Sequence, residues 1–455
     1  MKFTRSVIAA SIALAALAGC SSSNDETIQP VTEARFATYN LSFDRDTYEA
    51  LVAEMELSRE EQSALIQRYK DNDSTLTETQ KTTAKKVIQI RNVAETIQRT
   101  RPNVFLLAEF NNDGEGKDMK AIEGFHDNYL AYAQNDQLKP ISYQFRKNIA
   151  TNTGKPSGFD LDNNGKATNI QNDAWGFGNY YGQYAFAVFS QFQIDENNIR
   201  TFQNFKWKDM PGETNLKIVK CDDPTKIPAG KSCGDNWYSD EAWEQFPLSS
   251  KNHADLPIII PTPSGEQVIH FLVSHPTPPI WANAANHNVI RNHAEIEFWK
   301  DYIESDNYMY DDKGITGGLA AGSKFVIAGD LNADPIQGDG DLTAINDLQK
   351  SPLVNIHATI GSQTPTSKGG PECFDLEICT GDNKNTPYID HITSKSGLRL
   401  DHVIPSENLT VTDSGVFWPA SYEDGYHLVY DKELGNSKGV SSDHRLVWVD
   451  FDLTK

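Results

Sequence analysis

Short apolar runs that stop on a polar side chain recur along this chain. Ala34–Phe43 (ARFATYNLSF) alternates and carries Asn40, Val104–Phe110 (VFLLAEF) is apolar until Glu109, and Val268–His275 (VIHFLVSH) ends on His275. Phe325–Pro335 (FVIAGDLNADP), Leu400–Ser406 (LDHVIPS) and Arg445–Leu453 (RLVWVDFDL) behave alike. Runs of this length, rich in β-branched and aromatic residues and bounded by turn signals, predict strands. Helical spacing of Ala, Leu, Ile, Glu, Gln and Lys covers Thr47–Tyr69 and Thr83–Thr100, the second closed by Pro102, and a third pattern runs over Asn288–Ile303. Many of the strands lie too close together for a helical crossover, which predicts sheets packed on each other with helices outside. The polar strand ends would then collect along one edge.

In FVIAGDLNADP, Asp330 and Asn332 stand two apart. In an extended chain they face one side together, where they could meet a metal ion or a phosphate. Turn hydrogen bonds, which Asp and Asn make routinely, explain the pair as well.

The first residues change the picture of where the chain acts. Lys2 and Arg5 precede an apolar run from Val7 to Ala18 that stops at Leu17-Ala18-Gly19-Cys20, too short to span a bilayer and patterned as an export signal over 1–19. Its ending resembles the lipobox of bacterial lipoproteins, which implies lipidation of Cys20; Ser21 after it fits outer-membrane sorting. The expected location is the cell envelope, lipid-anchored, or the extracellular space. Residues 20–33 are polar and aperiodic, as a flexible tether is. Residues 34–455 show no internal repeat and no further linker, and are expected to form one large domain.

Cysteines Cys221, Cys233, Cys373 and Cys379 remain. In an oxidising compartment an even number suggests disulfides, and spacing favours Cys221 with Cys233 and Cys373 with Cys379 as staples of surface loops, although other pairings are open. A zinc site is disfavoured, because neither pair has Cys-x-x-Cys spacing or a neighbouring histidine pair. The net charge of −22, from 63 acidic against 41 basic residues, argues against tight nonspecific binding to long nucleic acid. A nuclease with a local metal site stays open.

An Asn in the first strand, a Glu ending the second, a strand-end His, Gly-Asp-x-Asn and a C-terminal Ser-Asp-His, in that order, resemble the endonuclease/exonuclease/phosphatase superfamily. Tyr180–Ile194 (YYGQYAFAVFSQFQI), HPTPP from His275 and RNHAEIEFW from Arg291 are similar to segments of a secreted bacterial branch. The resemblance implies an α/β fold, a four-layer sandwich of two mixed sheets face to face and flanked by helices, with the site at one edge. It implies Mg²⁺ or Mn²⁺ on Glu109, with Asn40 and Asp443 completing or orienting the metal shell. It also maps a histidine pair onto His275 and His444.

Phosphate-ester cleavage needs charge neutralisation, an activated water and help for the leaving oxygen. A histidine near neutrality serves if a carboxylate fixes its tautomer, and Asp401 is the natural partner of His444. The base stays open between His444 and Asp330, with Asn332 donating to a phosphate oxygen. Neighbours in a strand point oppositely, so Asp390-His391, Asp401-His402 and Asp443-His444 should pair across segments, the first being a solvated loop. The family carries an aromatic residue where His402 stands.

Arg291, Asn292 and His293 open a helix just after the His275 loop and are candidates for substrate phosphate, with an exposed helical face as the plainer account; Lys251 and His253 have the same status. Asp160, Asp162 and Asn164, followed by Gly165, reproduce the first half of a calcium loop, although Gln171 holds the position of its last acidic ligand and Asp173 lies close by. An ordinary polar turn is the alternative there.

The function expected is a metal-dependent phosphoesterase acting outside the cytoplasm on nucleic acid or smaller esters, held at the membrane by its lipid anchor. No protein partner is implied. The alternatives are a noncatalytic binding lipoprotein and a sphingomyelinase-like lipid phosphodiesterase. The last needs an exposed aromatic patch, for which Trp175, Phe177, Tyr180 and Tyr181 are the candidates.

Overall fold

The computed structural model describes residues 29–43, 45–380 and 383–454; the export signal and Cys20 lie outside the described residues. The strands are β1 (Glu33–Asn40), β2 (Val104–Ala108), β3 (Phe145–Ile149), β4 (Phe186–Ser190), β5 (Gln193–Ile194), β6 (Arg200–Thr201), β7 (His253–Thr262), β8 (Gly265–Ser274), β9 (Lys324–Asp330), β10 (Asp401–Pro405), β11 (Thr410–Val416) and β12 (Val447–Asp452). One sheet has the order β11-β12-β1-β2-β4-β3, and the other β10-β9-β8-β7-β5 with β6 also on β7. Each sheet contains one parallel pair among the described residues, β1 with β2 and β8 with β9; every other pairing is antiparallel.

Strand alternation explains both the core and the edge. Phe36 on β1, Leu106 on β2, Phe271 and Val273 on β8, Val326 and Ala328 on β9, Val403 on β10 and Val449 on β12 share one cluster between the sheets, where Phe36 and Phe271 meet edge-on at 5.5 Å. The intervening residues point outward: Ala37, Tyr39, Phe105 and Leu107 into the helices of one side, and Leu272, Ile327 and Ile404 into those of the other. Continuing each inward series, by one step on β8, β9 and β10 and past the buried Thr38 on β1, leaves the apolar core and reaches His275, Asp330, Asp401 and Asn40. Gly329 is needed between Ala328 and Asp330 of β9, since a Cβ there would run into the Ser274 carbonyl oxygen of β8.

The expected Thr47–Tyr69 helix is two helices, α1 (Tyr48–Met55) and α2 (Arg59–Lys70). Ser58 breaks it by capping α2: its hydroxyl accepts from Glu61 N–H while the Glu61 carboxylate accepts from Ser58 N–H at 2.8 Å. A second capping box, Thr77 with Gln80, starts the long α3 (Glu78–Thr100) one turn before the expected Thr83. α1 and α3 cover the first sheet, and the helix His287–Ile303 covers the second. Both parallel pairs are therefore joined by helical crossovers, and their carboxyl ends open on the same edge.

Both disulfides form as spacing favoured, with Cα atoms 6.0 Å apart for Cys221–Cys233 and 5.0 Å for Cys373–Cys379. The second pair closes the exposed turn 375–377 from beneath. Both its cysteines are buried and join the inter-sheet cluster.

Several histidines serve as neutral braces. His253 is buried, with one ring nitrogen on Ser249 Oγ (2.9 Å) and the other donating to Glu295 O (2.8 Å). His402 donates to Ala333 O (2.9 Å) and accepts from Gln349 (3.3 Å). His287 bonds the Tyr238 hydroxyl (2.7 Å). Burial pushes His253 down to about 4 and His402 to about 3, and drives His287 well below the ordinary imidazole range.

The unfolded chain therefore binds protons near pH ~6.5 that the fold refuses, so stability falls as pH drops below that value. Melting temperature is expected to decline steadily from pH ~6.5 to ~4, with a shallower slope in His402→Phe. A flat profile, or an unchanged slope in the variant, would contradict this role.

Candidate active site

A cavity of about 1080 Å³ opens at the carboxyl ends of the parallel strands and is lined by Glu109, Lys251, His275, Asp330, Asn332, Asp443 and His444 among others. Asn40 is buried behind this lining and joins the sheets: its amide nitrogen is 2.9 Å from Asp330 Oδ2 and 3.2 Å from Glu109 Oε1. Alternation would point Glu109 away, since Ala108 faces inward. Its left-handed backbone (φ 57°) turns the carboxylate back to the edge, a conformation that non-glycine residues rarely adopt.

Asp330 and Asn332 do converge on one space, though not as an extended pair. The strand ends at Asp330, and Asn332 is left-handed (φ 51°). Asp330 Oδ1 accepts the Asn332 N–H at 3.0 Å, so one carboxylate oxygen closes the turn while Oδ2 faces the site. The Asn332 amide donates to Pro276 O at 3.1 Å.

Around Asp330 Oδ2 stand His275 Nε2 at 3.4 Å and His444 Nε2 at 3.7 Å. Asp401 and Asp330 are directly opposed across β10 and β9, and Asp401 Oδ2 holds His444 Nδ1 at 2.8 Å. Thr393 donates to that same oxygen at 2.7 Å. The cross-segment pairing is thus Asp401 with His444. Asp390-His391 stays apart in a short turn, and Asp443 is held instead by a Ser42 hydroxyl bond.

These groups set one another's charge. Burial works against charge on Asp330, but His444, His275 and the Asn40 amide outweigh it and hold its pKa well below the usual carboxylate range. Burial likewise opposes charge on His444, yet Asp401 and Asp330 keep its pKa well above the ordinary imidazole value. Burial pushes Asp401 up to about 6 against the pull of His444. For His275, burial and Lys251 win over Asp330, so the ring is neutral near pH 7.

Two ligand sets present themselves. Asp330, Asp401 and His444 offer atoms within 4.8 Å of one another. Both ring nitrogens of His444 already face carboxylates, however, so that trio reads as a proton relay. Glu109 is the better anchor for a cation, with the Asn40 amide bonded to it and Asp443 on the same cavity. Glu109 shares the Asn40 amide with Asp330, Asp443 lines the same cavity, and hard oxygen donors of this kind suit Mg²⁺ or Mn²⁺.

Other expectations fare differently. Arg291 and Asn292 are buried rather than on an exposed helical face, although Arg291 still borders the cavity. Arg291 donates to Leu248 O (2.9 Å) and Pro247 O (3.0 Å), while Asn292 donates to Thr277 O (2.8 Å) and Leu331 O (3.0 Å). Both are buried because their helix turns that face toward the loops it braces. His293 pairs instead with Glu297 and Asp341.

The turn at Asp160 gathers Asp160, Asp162 and Asp173, the last being the acidic residue close to the position that Gln171 holds. Asn164 points its amide at Asp162 (3.0 Å). Backbone N–H groups of Asn164, Gly165, Leu161 and Thr168 close the turn onto Asp160 and Asp173. Trp175, Tyr180 and Tyr181 are partly covered; Phe177 alone of that group is exposed on the cavity.

Lys251 is the residue that sequence reasoning ranked too low. It is buried in the cavity wall, its ammonium 3.4 Å from Pro276 O, and burial lowers its pKa against the pull of Glu295, Asp330 and Glu109. The register that pairs His253 with Ser274 puts it beside His275, an adjacency made by strand pairing that no motif signals.

The family model described as Endonuclease/Exonuclease/phosphatase family matches residues 37–444. No curated protein matches the chain. Among solved structures, an endonuclease/exonuclease/phosphatase family protein from Leptotrichia buccalis is similar at 13% identity and TM-score 0.39, over 91% of this chain and 98% of that one. A mannosyl-6-phosphatase from Bacteroides thetaiotaomicron is similar at 11% identity and TM-score 0.38, over 92% and 99%.

Replacing Asp401 by Asn removes the charge that does most to raise the His444 pKa. In chelator-treated protein the imidazole, followed by NMR, should lose its proton at lower pH than in the parent chain. An unchanged titration would show that Asp401 does not set its charge.

Proposed function

The chain belongs to the Endonuclease/Exonuclease/phosphatase family, and from that membership and the strand-end geometry we propose a divalent-cation-dependent hydrolase of small phosphate esters. The observation that carries the reading is the convergence of Glu109, Asn40, Asp330 and His444, from both sheets, on one cavity edge.

Glu109, with Asn40 and Asp443, would hold Mg²⁺ or Mn²⁺, which when bound neutralises the phosphate oxygens. Asp330, ionised at neutral pH, takes a proton from the attacking water, which assigns the base left open between it and His444. His444, kept protonated and oriented by Asp401, gives its proton to the leaving oxygen. Asn332 has one amide hydrogen left for a phosphate oxygen, and the Lys251 ammonium adds positive charge from the cavity wall. The cavity also carries Asp162, Asp334, Asp339 and Asp341, and with the net charge of −22 this favours small esters over long polyanions.

The Lys2-to-Cys20 pattern supports action from a lipid anchor at the cell envelope. Cys20→Ser is expected to move the protein from the membrane to the soluble fraction; an unchanged distribution would remove the anchor.

The catalytic reading is tested with p-nitrophenyl phosphate, bis-p-nitrophenyl phosphate, RNA and duplex DNA, each with Mg²⁺ or Mn²⁺. The small esters should turn over, lose turnover on chelation, and fall by roughly 10²–10⁴ in His444→Ala. Cation binding without turnover of any ester would leave a noncatalytic binding protein on this scaffold.

A further inference from the structure

Beyond its centre the cavity is lined by two largely exposed aromatic side chains, Phe177 (52% exposed) and Trp281 (86%). Trp281 lies in the loop from His275 to the helix His287–Ile303, and its backbone is left-handed (φ 57°), an unusual state for a bulky residue. The loop is not slack. Asn288 donates to Ile280 O at 2.6 Å, Glu295 accepts the Thr277 N–H at 2.6 Å, and Val219 and Lys220 both donate to Ala284 O at 2.9 Å. A strained, braced backbone that holds an indole in water beside a reaction centre stores its cost for something outside the fold.

The neighbouring wall is rich in acceptors. Asp162, Asn283 and Asp341 line the same cavity, and carboxylates accept from hydroxyls while repelling phosphates and anionic membrane surfaces. An apolar ring face beside hydroxyl acceptors suits a ligand with the same two aspects.

We propose that Trp281 and Phe177 form a platform for the sugar ring of a sugar phosphate whose phosphate lies at Asp330 and Glu109; this rests on reading that centre as a phosphate site. Trp281 is a specificity determinant here and takes no part in bond cleavage. A polynucleotide fits less well, since its flanking phosphates would fall among the carboxylates.

The test is calorimetry with Mn²⁺ present on His444→Ala, chosen to suppress turnover, titrated with inorganic phosphate, glucose 6-phosphate, galactose 6-phosphate, ribose 5-phosphate and adenosine monophosphate. At least one sugar phosphate should bind about tenfold tighter than inorganic phosphate, about 1.4 kcal/mol. That excess should vanish when Trp281→Ala is added and largely return with Trp281→Phe. Because the indole is exposed, these variants should fold.

Phosphate binding with no sugar excess, or an excess that survives Trp281→Ala, overturns the platform alone. Failure of inorganic phosphate to bind overturns the underlying centre as well. A larger excess for adenosine monophosphate than for any sugar phosphate, or Trp281-dependent retention on phosphatidylcholine vesicles, reassigns the aromatics and overturns the sugar reading.

Discussion

One buried carboxylate oxygen, Asp330 Oδ2, sets the terms for the structure around it. A charge removed from water must be met by donors or cations, and here they come from both sheets: the Asn40 amide of β1 at 2.9 Å, and the rings of His275 and His444 at 3.4 and 3.7 Å. Meeting that need ties the ends of β1, β8 and β9 and the segment before β12 to one point. The apolar core between the sheets supplies the driving force for packing, while this polar junction fixes how the sheet ends meet.

The junction is also unbalanced in a useful way. Asp330, Asp401, Glu109 and Asp443 outnumber the nearby cations His444 and Lys251. Glu109 sits at this junction as a left-handed residue held against its own preference. A fold built for stability alone has little reason to keep that arrangement, and the divalent cation proposed for this site would relieve it. The relay from Asp401 through His444 stays separate, because both ring nitrogens of that histidine are already engaged.

Much of this was legible in the sequence because strand alternation is local. A run such as FVIAGDLN announces both a buried strand and the polar residues that follow it, and Asn40, His275, Asp330 and Asp401 simply continue inward-facing series. Glu109 was legible only through its motif, since alternation alone sends it the wrong way. Lys251 was obscured because its closeness to His275 depends on the β7–β8 register. Arg291 and Asn292 were legible as polar residues beside the His275 loop, but the loop carbonyls they brace were not. Trp281 had no motif at all; its exposure is a property of the folded loop.

The central claim is that the strand ends hold a divalent cation through Glu109, and calorimetric titration of Mn²⁺ into the parent chain and Glu109→Gln tests it most directly. A cation site in the parent chain, weakened at least about tenfold in the variant, is the result this account predicts. Equal Mn²⁺ affinity in the two proteins, or no binding to either, would contradict it.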